Sequence, residues 1–472
     1  MTGAVLIQNP GPSPFFSDLG PELGTDPGAN VRCENGHIAA IGTQLKLRPN
    51  ELCIDAKGGA LLPGLHDHHI HLLATAAARR SLDCRADSAE PFLARLETHA
   101  QLARESGESY GWVRAVNYHE SIAGELNRDR LDELVPHQPV KIQHSTGSMW
   151  VLNSPALNLL GLHELQDERI ERDANNHPTG RLFRADDLLR ASGAASAPDL
   201  TALSLELASY GVTAVTDTSA NNSAAELDLL RAKQAQGELL QRVRLMGCAD
   251  LPELREPGFR TGELKLLLDE ANLPDIDELI AQVERAHDNG RGVAFHCVTR
   301  IELALVISVL SSTGVRGDRI EHASVVPAGT IAQLAELGVR VVTQPGLIYT
   351  RGDRYVQDLE HSDLQMLYRL HSLQRQGIAI AGSSDAPYGP IDPWRSMQCA
   401  HDRRTQAGAQ IGAEEAISAQ AALALYCTQP IAVGQQADLC VLTQSWRDAA
   451  RHLANVQVSH TLRNGKLIYC RD

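Results

Sequence analysis

Two histidines separated by one residue, His69 and His71, end a short apolar stretch that reads LLPGLHDHHIHL over residues 61–72. On an extended strand alternate side chains point the same way, so the two imidazoles share one face with Asp67. Imidazole is the commonest metal ligand in proteins, and two rings at the end of a buried strand can converge on one ion. A His-rich surface turn is the alternative, but the preceding apolar run and the aligned carboxylate favour a metal site.

Further metal-binding side chains follow apolar, strand-like runs later in the chain. They are His296 after GVAF, His322 within RIEHAS and Asp385 within IAIAGSSDA. In a parallel α/β barrel the catalytic groups lie at the carboxyl ends of the strands, so these side chains would meet those of the first strand. The predicted metal ligands are therefore His69, His71, His296, His322 and Asp385.

Lys265 lies in another apolar run, ELKLLLD at residues 263–269. Burying a charged ammonium group is costly, and desolvation lowers the pKa of a lysine so that its neutral amine becomes available. A neutral amine can react with carbon dioxide to form a carbamate, an anionic ligand able to bridge two metal ions. We predict this modification at Lys265, and a lysine paired with Asp269 on the same strand face is the alternative.

Eight strand-like runs, separated mostly by helical stretches, would position these groups. The runs cover residues 61–72, 211–217, 242–248, 263–269, 292–297, 319–324, 339–344 and 378–386. Helix-like stretches such as DIDELIAQVERAHDNG and AGTIAQLAELG end near glycine, as helices often do. The alternation predicts a parallel sheet, and eight units over this length predict an α/β fold of the TIM (β/α)8-barrel type across residues 61–429.

The two ends of the chain share short strand-like runs with turn residues between them, such as NVRCENGHIAAIG and VQVSHTLRNGKLIYC. We predict that residues 1–60 and 430–472 pair into one small β-sandwich, and separate packing of each end is the alternative. Residues 85–200 interrupt the barrel between its first two strands. We predict that this insertion caps the barrel mouth, where it would select substrate, in preference to forming a separate domain on the side.

The composition is that of an ordinary globular protein and narrows the range of partners. Hydrophobic residues make up 43% and charged residues 21% of the 472 residues, and the formal net charge is −15. Without a long basic run, this charge disfavours nucleic acid and anionic membranes, which leaves a small-molecule substrate. The nine cysteines show no C-x-x-C spacing, and we see no signal peptide or membrane span, so we expect a cytoplasmic protein.

The motifs resemble the amidohydrolase superfamily, and within it the YtcJ-like branch that includes N-substituted formamide deformylase (amidohydrolase family 3). They follow the family's order over nearly the whole chain: PGLHDHHIHL at 63–72, VLNSPAL at 151–157, GELKLLLDE at 262–270, FHC at 295–297, RIEHAS at 319–324, TQP at 343–345, GSSDAPYGPIDP at 382–393 and ADLCVL at 437–442. The resemblance implies metal binding by the five predicted ligands, a bridging carboxylated Lys265 as in several superfamily members, and a homodimer. Zinc, as one or two ions, suits such ligands, although manganese or iron would also fit.

Two positions in the insertion depart from the family pattern. Gly147-Ser148 stands where many relatives have Gly-His, and Arg184 stands where many have Glu after the P-x-G-x-L segment. Substrate preference therefore cannot be copied from a relative. The candidates for substrate binding are Trp150, Arg184, Arg351, Arg354 and Tyr388. Ordinary packing is the alternative for Trp150 and Tyr388, and solvation is the alternative for the two arginines of the TRGDRY loop at 350–355.

Together these residues predict a hydrolase that cleaves a C–N bond of a small amide, N-acyl compound or cyclic amide by metal-bound hydroxide. A divalent cation lowers the pKa of bound water toward ~7 and polarises the scissile carbonyl. Asp385 would take the proton from that water and pass it to the leaving nitrogen. A heterocycle deaminase on the same barrel is the alternative. A non-catalytic assembly protein is less favoured because no predicted ligand is missing.

Overall fold

The structure is a computed structural model, and it describes residues 3–15, 28–84, 89–105, 111–185, 188–189 and 198–471. The chain divides into two compact units, one made of Met1–His71 with Leu200–Asp472 and the other of Leu72–Asp199. The first unit contains both chain ends and all of the predicted barrel strands.

Within the described residues the strands, in chain order, are β1 (Val5–Gln8), β2 (Asn30–Glu34), β3 (His37–Gly42), β4 (Leu52–Asp55), β5 (Leu61–Pro63), β6 (Leu65–Ile70), β7 (Leu82–Asp83), β8 (Val113–Tyr118), β9 (Val140–His144), β10 (Met149–Leu152), β11 (Ile170–Arg172), β12 (Pro178–Phe183), β13 (Val212–Asp217), β14 (Arg242–Gly247), β15 (Arg255–Glu256), β16 (Phe259–Leu266), β17 (Val293–Cys297), β18 (Arg319–His322), β19 (Arg340–Thr343), β20 (Ile380–Gly382), β21 (Leu439–Leu442), β22 (Val458–Arg463) and β23 (Lys466–Cys470). The α-helices span Leu72–Arg79, Ala89–Glu105, Glu120–Ala123, Arg128–Leu134, Ser154–Leu159, Thr201–Ser209, Ala224–Ala235, Ile276–Asp288, Arg300–Thr313, Ala328–Leu337, Gly346–Asp358, His361–Leu364, Leu370–Arg375, Pro393–Asp402, Ala419–Ala424 and Trp446–Ala449. Short 3-10 helices span Glu270–Asn272, Ala413–Glu415 and Leu453–Asn455.

Eight strands of the described first unit form one parallel sheet in the order β20-β19-β18-β17-β16-β14-β13-β6. The outermost two meet through backbone hydrogen bonds from Asp385 N to His69 O (2.8 Å) and from His71 N to Ala386 O (3.0 Å). The sheet is therefore a nearly closed barrel, and each of its strands lies within one of the predicted runs or overlaps it. The predicted TIM-barrel class is confirmed.

The pattern of apolar residues explains which strand faces point into the barrel. In β17, Val293, Phe295 and Cys297 join a buried cluster with residues of the helices Ile276–Asp288 and Arg300–Thr313. Because strand side chains alternate, the residue between the last two, His296, points to the barrel interior. Both helices begin at polar caps: Asp275 accepts from the backbone N–H groups of the first, and Thr299 forms a capping box with Glu302 in the second.

The chain ends form two four-stranded sheets, β3-β2-β1-β4 and β23-β22-β21-β5. Val5, Ile7 and Val31 of the first sheet share one hydrophobic cluster with Leu439 and Val441 of the second. Two sheets with a common core are a β-sandwich, so this part of the predicted fold is confirmed and separate packing of the ends is excluded. Strand β5 leads directly into barrel strand β6, and the domain boundaries at residues 60 and 430 stay a prediction.

The second unit has its own six-stranded sheet, in the order β11-β12-β10-β9-β8-β7. Strands β7, β8 and β9 run parallel, and the remaining pairs are antiparallel. Residues 85–88, 106–110, 186–187 and 190–197 of the predicted insertion lie outside the described residues, and its position over the barrel mouth stays a prediction.

All nine cysteines carry free thiols. Among the residues that the structure describes, none of the helices combines the length and the hydropathy that crossing a bilayer requires. Cytoplasmic localisation stays a prediction.

Candidate metal centre

The seam of the barrel, where β6 meets the segment after β20, brings two imidazoles to one carboxylate. His69 Nε2 and His71 Nε2 each lie 3.4 Å from the same oxygen, Asp385 Oδ1. The ligand atoms of all three residues lie within 4.8 Å of one another. His69 and Asp385 are buried, whereas His71 is partly exposed. The structure thus joins the first two predicted ligands to the last one.

The hydrogen-bond partner of Nδ1 in each ring determines whether Nε2 carries a proton or a lone pair. His69 Nδ1 donates to Glu321 Oε2, and His71 Nδ1 lies 3.0 Å from Ser219 Oγ. With a proton on Nδ1, each Nε2 presents a lone pair toward the negatively charged Asp385, an arrangement that a cation between them would stabilise. Ligands at about 2.0–2.1 Å from a tetrahedral zinc ion are roughly 3.3–3.4 Å from each other. The observed spacing therefore fits a metal ion.

His296 and His322 extend the cluster from the neighbouring strands β17 and β18. The ring centroid of His322 lies 4.8 Å from that of His69 and 4.5 Å from that of His296. His322 Nδ1 donates to Gln344 Oε1 at 2.8 Å, and Gln344 Nε2 in turn donates to Ser383 Oγ at 2.9 Å. This chain of bonds crosses three adjacent strands and directs the Nε2 atom of His322 away from Gln344. All five predicted ligands thus lie in one cluster.

Lys265 is buried in β16, with its Cα paired in register with that of Ala294 on β17. Within the described residues, its Nζ atom has no hydrogen-bond partner. Asp269 instead caps the 3-10 helix Glu270–Asn272, which contradicts the alternative of a Lys265–Asp269 pair. Burial, together with the charge of Arg319, lowers the pKa of Lys265 to about 8, so the neutral amine is accessible near neutral pH.

Burial favours the neutral form of three imidazoles, those of His69, His296 and His322, while Asp385 remains ionised. Burial, then the charge of Lys265, lowers the pKa of His69 to about 3, and burial also lowers the pKa of His296 and of His322. Although burial alone raises it, the contact with His71 and the nearby rings of His69 and His322 hold the pKa of Asp385 below its ordinary value. Neutral imidazoles and an ionised carboxylate are the forms that bind metal.

A buried network of charged side chains, which the sequence did not predict, contacts the cluster. Glu321 accepts from His69 and is also paired with Arg319, whose Nη2 donates to its Oε2 at 3.0 Å. Asp67 Oδ1 accepts the backbone N–H groups of His69 (3.2 Å) and Ser384 (3.0 Å), next to Asp385. Only the fold shows that Glu321 contacts the ring of His69 and that Asp67 contacts its backbone.

Two of the cluster residues hold an unusual backbone conformation. Asp385 has φ of 53° and His322 has φ of 68°, both in the left-handed region. Such conformations cost about 1–3 kcal/mol for a non-glycine residue and concentrate at functional sites. The surrounding hydrogen bonds therefore enforce the direction of these side chains.

Strand β6 does not keep a simple alternation. Its register against β13 shifts between the pairs Val215–Asp67 and Asp217–Ile70, so one extra residue is inserted there. On the other side of the shift, His66 and His68 stack with their ring centroids 4.0 Å apart, and His68 O accepts from Arg319 Nη2 at 2.7 Å. The backbone of His68 thus contacts the same charge network through Arg319.

Of the predicted substrate-binding residues, Tyr388 is the one whose ring contacts the cluster, with its centroid 5.8 Å from that of His71. Arg351 Nη2 donates to Tyr388 O at 3.3 Å, and Arg354 pairs with Asp358 at 3.0 Å. The TRGDRY segment is not the predicted loop: it belongs to the helix Gly346–Asp358.

The remaining two candidates lie in the second unit. Trp150 is buried in a hydrophobic cluster of that unit, under the guanidinium of Arg114 at 5.4 Å. Arg184 is exposed, and its backbone N–H donates to Ser148 O at 2.7 Å. Substrate binding by these side chains stays a prediction. The observed role of Trp150 is to pack in the hydrophobic cluster of the second unit.

The fold and the site define a (β/α)8-barrel protein with a buried histidine–aspartate centre whose donor set suits a divalent metal ion. Comparison with known families places it further: the model of the amidohydrolase family matches residues 53–469. The chain belongs to the amidohydrolase family. This confirms the resemblance inferred from the motifs.

Individual relatives agree with this assignment. The chain is 27% identical to N-substituted formamide deformylase of Arthrobacter pascens, covering 93% of this chain and 95% of that protein. It is 24% identical to the putative amidohydrolase YtcJ of Bacillus subtilis (strain 168), with the same coverage of 93% and 95%. Its fold is similar to that of a metal-dependent hydrolase from Pyrococcus horikoshii OT3, with a TM-score of 0.74, 19% identity and coverage of 96% of this chain and 100% of that chain.

Proposed function

We propose that this protein is a metal-dependent hydrolase that cleaves a C–N bond of a small amide. One observation carries the proposal: Asp385 Oδ1 lies 3.4 Å from the Nε2 atoms of both His69 and His71, the spacing of ligands around a tetrahedral zinc ion. The residues that would hold metal are His69, His71, His296, His322, Asp385 and, as a carbamate, Lys265. A bound divalent ion would lower the pKa of water and polarise the scissile carbonyl.

Lys265 is the residue that favours a two-metal centre. Its buried amine lacks a hydrogen-bond partner among the described residues and has a pKa of about 8. The neutral amine adds to carbon dioxide, forming an N–C bond and releasing one proton, and the product is an anion. The carbamate would replace a costly buried cation by a ligand of the opposite charge, which offsets the charge of the metal ions.

Asp385 is proposed to handle the proton of the reaction. Its carboxylate is ionised at neutral pH, because its pKa is held below the ordinary value. It can accept a proton from the attacking water and deliver it to the leaving nitrogen, which departs as an amine. Asp385 has a left-handed backbone conformation, and the backbone N–H of the preceding Ser384 donates a hydrogen bond to Asp67. Both features hold the Asp385 carboxylate beside the two imidazoles.

The substrate class follows from the relatives. The similarity to N-substituted formamide deformylase supports small N-substituted amides, formamides first, as test substrates. This chain departs from the family pattern at Gly147-Ser148 and Arg184, and we propose that its preferred N-substituent differs from that of relatives that keep the pattern.

The test is a comparison of Asp385→Asn with the wild type. The protein is loaded with zinc in the presence of bicarbonate, and amine release is measured over a panel of N-alkyl and N-aryl formamides and cyclic amides. We expect Asp385→Asn to lower turnover by roughly 10²–10⁴-fold, the usual contribution of a positioned acid or base. Asp288→Asn, at an exposed position, is the matched control.

Other results would point elsewhere. Unchanged turnover in Asp385→Asn would contradict its role, and a protein that retains no metal after dialysis would contradict the metal-dependent mechanism. Binding of a single ion, with release of ammonia from heterocyclic amines and no amide hydrolysis, would favour the deaminase alternative.

A further inference from the structure

A second group of imidazole and carboxylate side chains lies in the unit Leu72–Asp199. His119 and Glu120 follow β8, and His144 ends β9, its parallel neighbour, where Tyr118 and His144 are paired in register. Glu120 Oε2 lies 3.4 Å from His119 Nε2 and 3.2 Å from His144 Nε2. The three ligand atoms lie within 4.8 Å of one another, as they do in the centre of the barrel.

Both imidazoles are oriented by the same local arrangement. His119 Nδ1 lies 2.8 Å from the hydroxyl oxygen of Ser121, and His144 Nδ1 lies 2.8 Å from that of Thr146. In each case the hydroxyl residue stands two positions after the histidine, and its backbone N–H also points at Nδ1, at 3.1 Å and 3.2 Å. Each ring is thus held by its own chain segment, and its Nε2 faces Glu120.

We propose that His119, Glu120 and His144 form a binding site for a divalent transition-metal ion of the zinc type, built from residues that the centre in the barrel does not use. The ion would be held by the two Nε2 atoms and by Oε2 of the carboxylate, with water completing its coordination. Two imidazoles and one carboxylate are an established ligand set for such ions.

The observed distances are longer than strong charged hydrogen bonds, although the His144–Glu120 contact is also within reach of an ordinary hydrogen bond. Hydrogen bonds between a charged carboxylate and an N–H group are about 2.7–2.9 Å long. The separations of 3.2 Å and 3.4 Å exceed that range. They match the roughly 3.3–3.4 Å between ligands that each lie about 2.0–2.1 Å from one tetrahedral ion.

The chemistry of the ligands selects the class of ion. Calcium and magnesium prefer oxygen ligands, whereas imidazole nitrogen suits zinc and its neighbours. Nδ1 of each ring accepts a backbone N–H here, so an ion at Nε2 would require the ring proton to move to Nδ1, where the hydroxyl oxygens of Ser121 and Thr146 can accept it. The Glu120 carboxylate offsets one of the two charges of the ion. A bound ion would link the segment after β8 to the end of β9 and so stabilise this unit.

Metal content tests the proposal on the full chain. Wild type, the double variant His119→Gln/His144→Gln and the control His137→Gln, an exposed histidine of the same unit, are stripped with a chelator, reloaded with zinc and dialysed against metal-free buffer. Mass spectrometry of the bound metal should show about one ion per chain fewer in the double variant than in the wild type and in the control. Equal metal content in all three proteins would overturn the proposal.

A second measurement removes the dependence on a folded variant. In crystals of the wild-type protein grown with zinc, anomalous scattering at the zinc edge should give a peak about 2.0–2.1 Å from His119 Nε2, His144 Nε2 and Glu120 Oε2. A peak in the barrel without one at this position would overturn the second site. It would leave the proposed function intact, because the two sites share no residue.

Discussion

His69 and Glu321, which are 252 positions apart in the chain, are joined by a buried hydrogen bond from the imidazole Nδ1 to the carboxylate Oε2. The same carboxylate is paired with the buried guanidinium of Arg319. Although burial alone raises it, the charges of Arg319 and Lys265 and the hydrogen bond from His69 hold the pKa of Glu321 well below its ordinary value. The direction of one metal ligand therefore depends on a charge pair in the barrel interior.

The first prediction concerns Glu321→Gln. A neutral amide is a weaker acceptor for His69 Nδ1, so we expect metal affinity to fall by about 10–100-fold, as when other partners of ligating histidines are lost. Arg319 would also remain buried without its counter-charge, which should lower the free energy of unfolding by roughly 3–5 kcal/mol. Competition with a chromophoric chelator measures the affinity, and urea unfolding of the metal-free protein measures the stability.

The double variant Arg319→Met/Glu321→Gln separates the two effects. It removes the unpaired guanidinium, so stability should recover relative to Glu321→Gln, whereas metal affinity should stay low. Recovery of both quantities together would show that Glu321 acts on stability alone.

The second prediction concerns Gln344, which accepts from His322 Nδ1 at 2.8 Å. Gln344→Leu removes this acceptor at nearly constant volume, and we expect metal affinity to fall by about 10–100-fold. Gln344→Glu keeps an acceptor at the same place and should retain more of the affinity than the leucine variant. Gln374→Leu, at an exposed position, is the control. Equal losses in the leucine and glutamate variants would contradict an orienting role for the amide oxygen.

The third prediction concerns carboxylation of Lys265. Only the neutral amine reacts with carbon dioxide, and its pKa of about 8 means that this form is scarce at pH 6.5 and predominant at pH 8.5. At a fixed concentration of dissolved carbon dioxide, carbamate formation in metal-free protein should be faster at pH 8.5 by on the order of tenfold. The signal of 13C-labelled carbamate in NMR spectra measures the rate. Lys265→Gln should give no signal, and a rate independent of pH would refute the reaction at this amine.

The fourth prediction uses the pKa of Asp67, which burial raises from 3.8 to about 6. The folded state binds its proton more tightly than the unfolded state, so the contribution of Asp67 to stability is present below pH ~4 and is lost as pH rises through about 6. Asp67→Asn keeps an oxygen that accepts from His69 and Ser384 without a buried charge. It should therefore be more stable than the wild type at pH 7, by roughly 2–3 kcal/mol.

Urea unfolding of metal-free protein at several pH values checks this. The advantage of Asp67→Asn should shrink as the pH falls from 7 toward 4, while the exposed Asp288→Asn should show no such trend. A difference from the wild type that is constant across this range would show that the charge of Asp67 is not what matters.

Sequence pattern alone was sufficient to predict the barrel, because each of its strands is an apolar run between turn residues and helices with recognisable caps. It was also sufficient to predict that the five candidate ligands lie close together, since strand ends converge in this architecture. The partners of those ligands were not predictable in the same way. Glu321, Gln344 and Ser219 contact ligands from other strands or loops, and no local pattern in the chain records which side chains become neighbours.

One local error has a specific physical cause. In the helix Gly346–Asp358, the glycine of TRGDRY suggested a loop, yet Gly352 allows close packing: a Cβ atom there would lie 2.5 Å from Thr405 Cγ2. A glycine that permits close approach and a glycine that ends a helix look the same in a single sequence.

The seam between β6 and the segment after β20 has a consequence for biosynthesis. The backbone groups that close the barrel belong to His69, His71, Asp385 and Ala386, so the bonds that close the sheet also hold three of the proposed ligands together. A nascent chain interrupted before residue 385 would retain an exposed strand edge, which promotes aggregation, and would lack the proposed carboxylate ligand. Under the proposed function, metal retention would then mark copies whose translation has passed this seam.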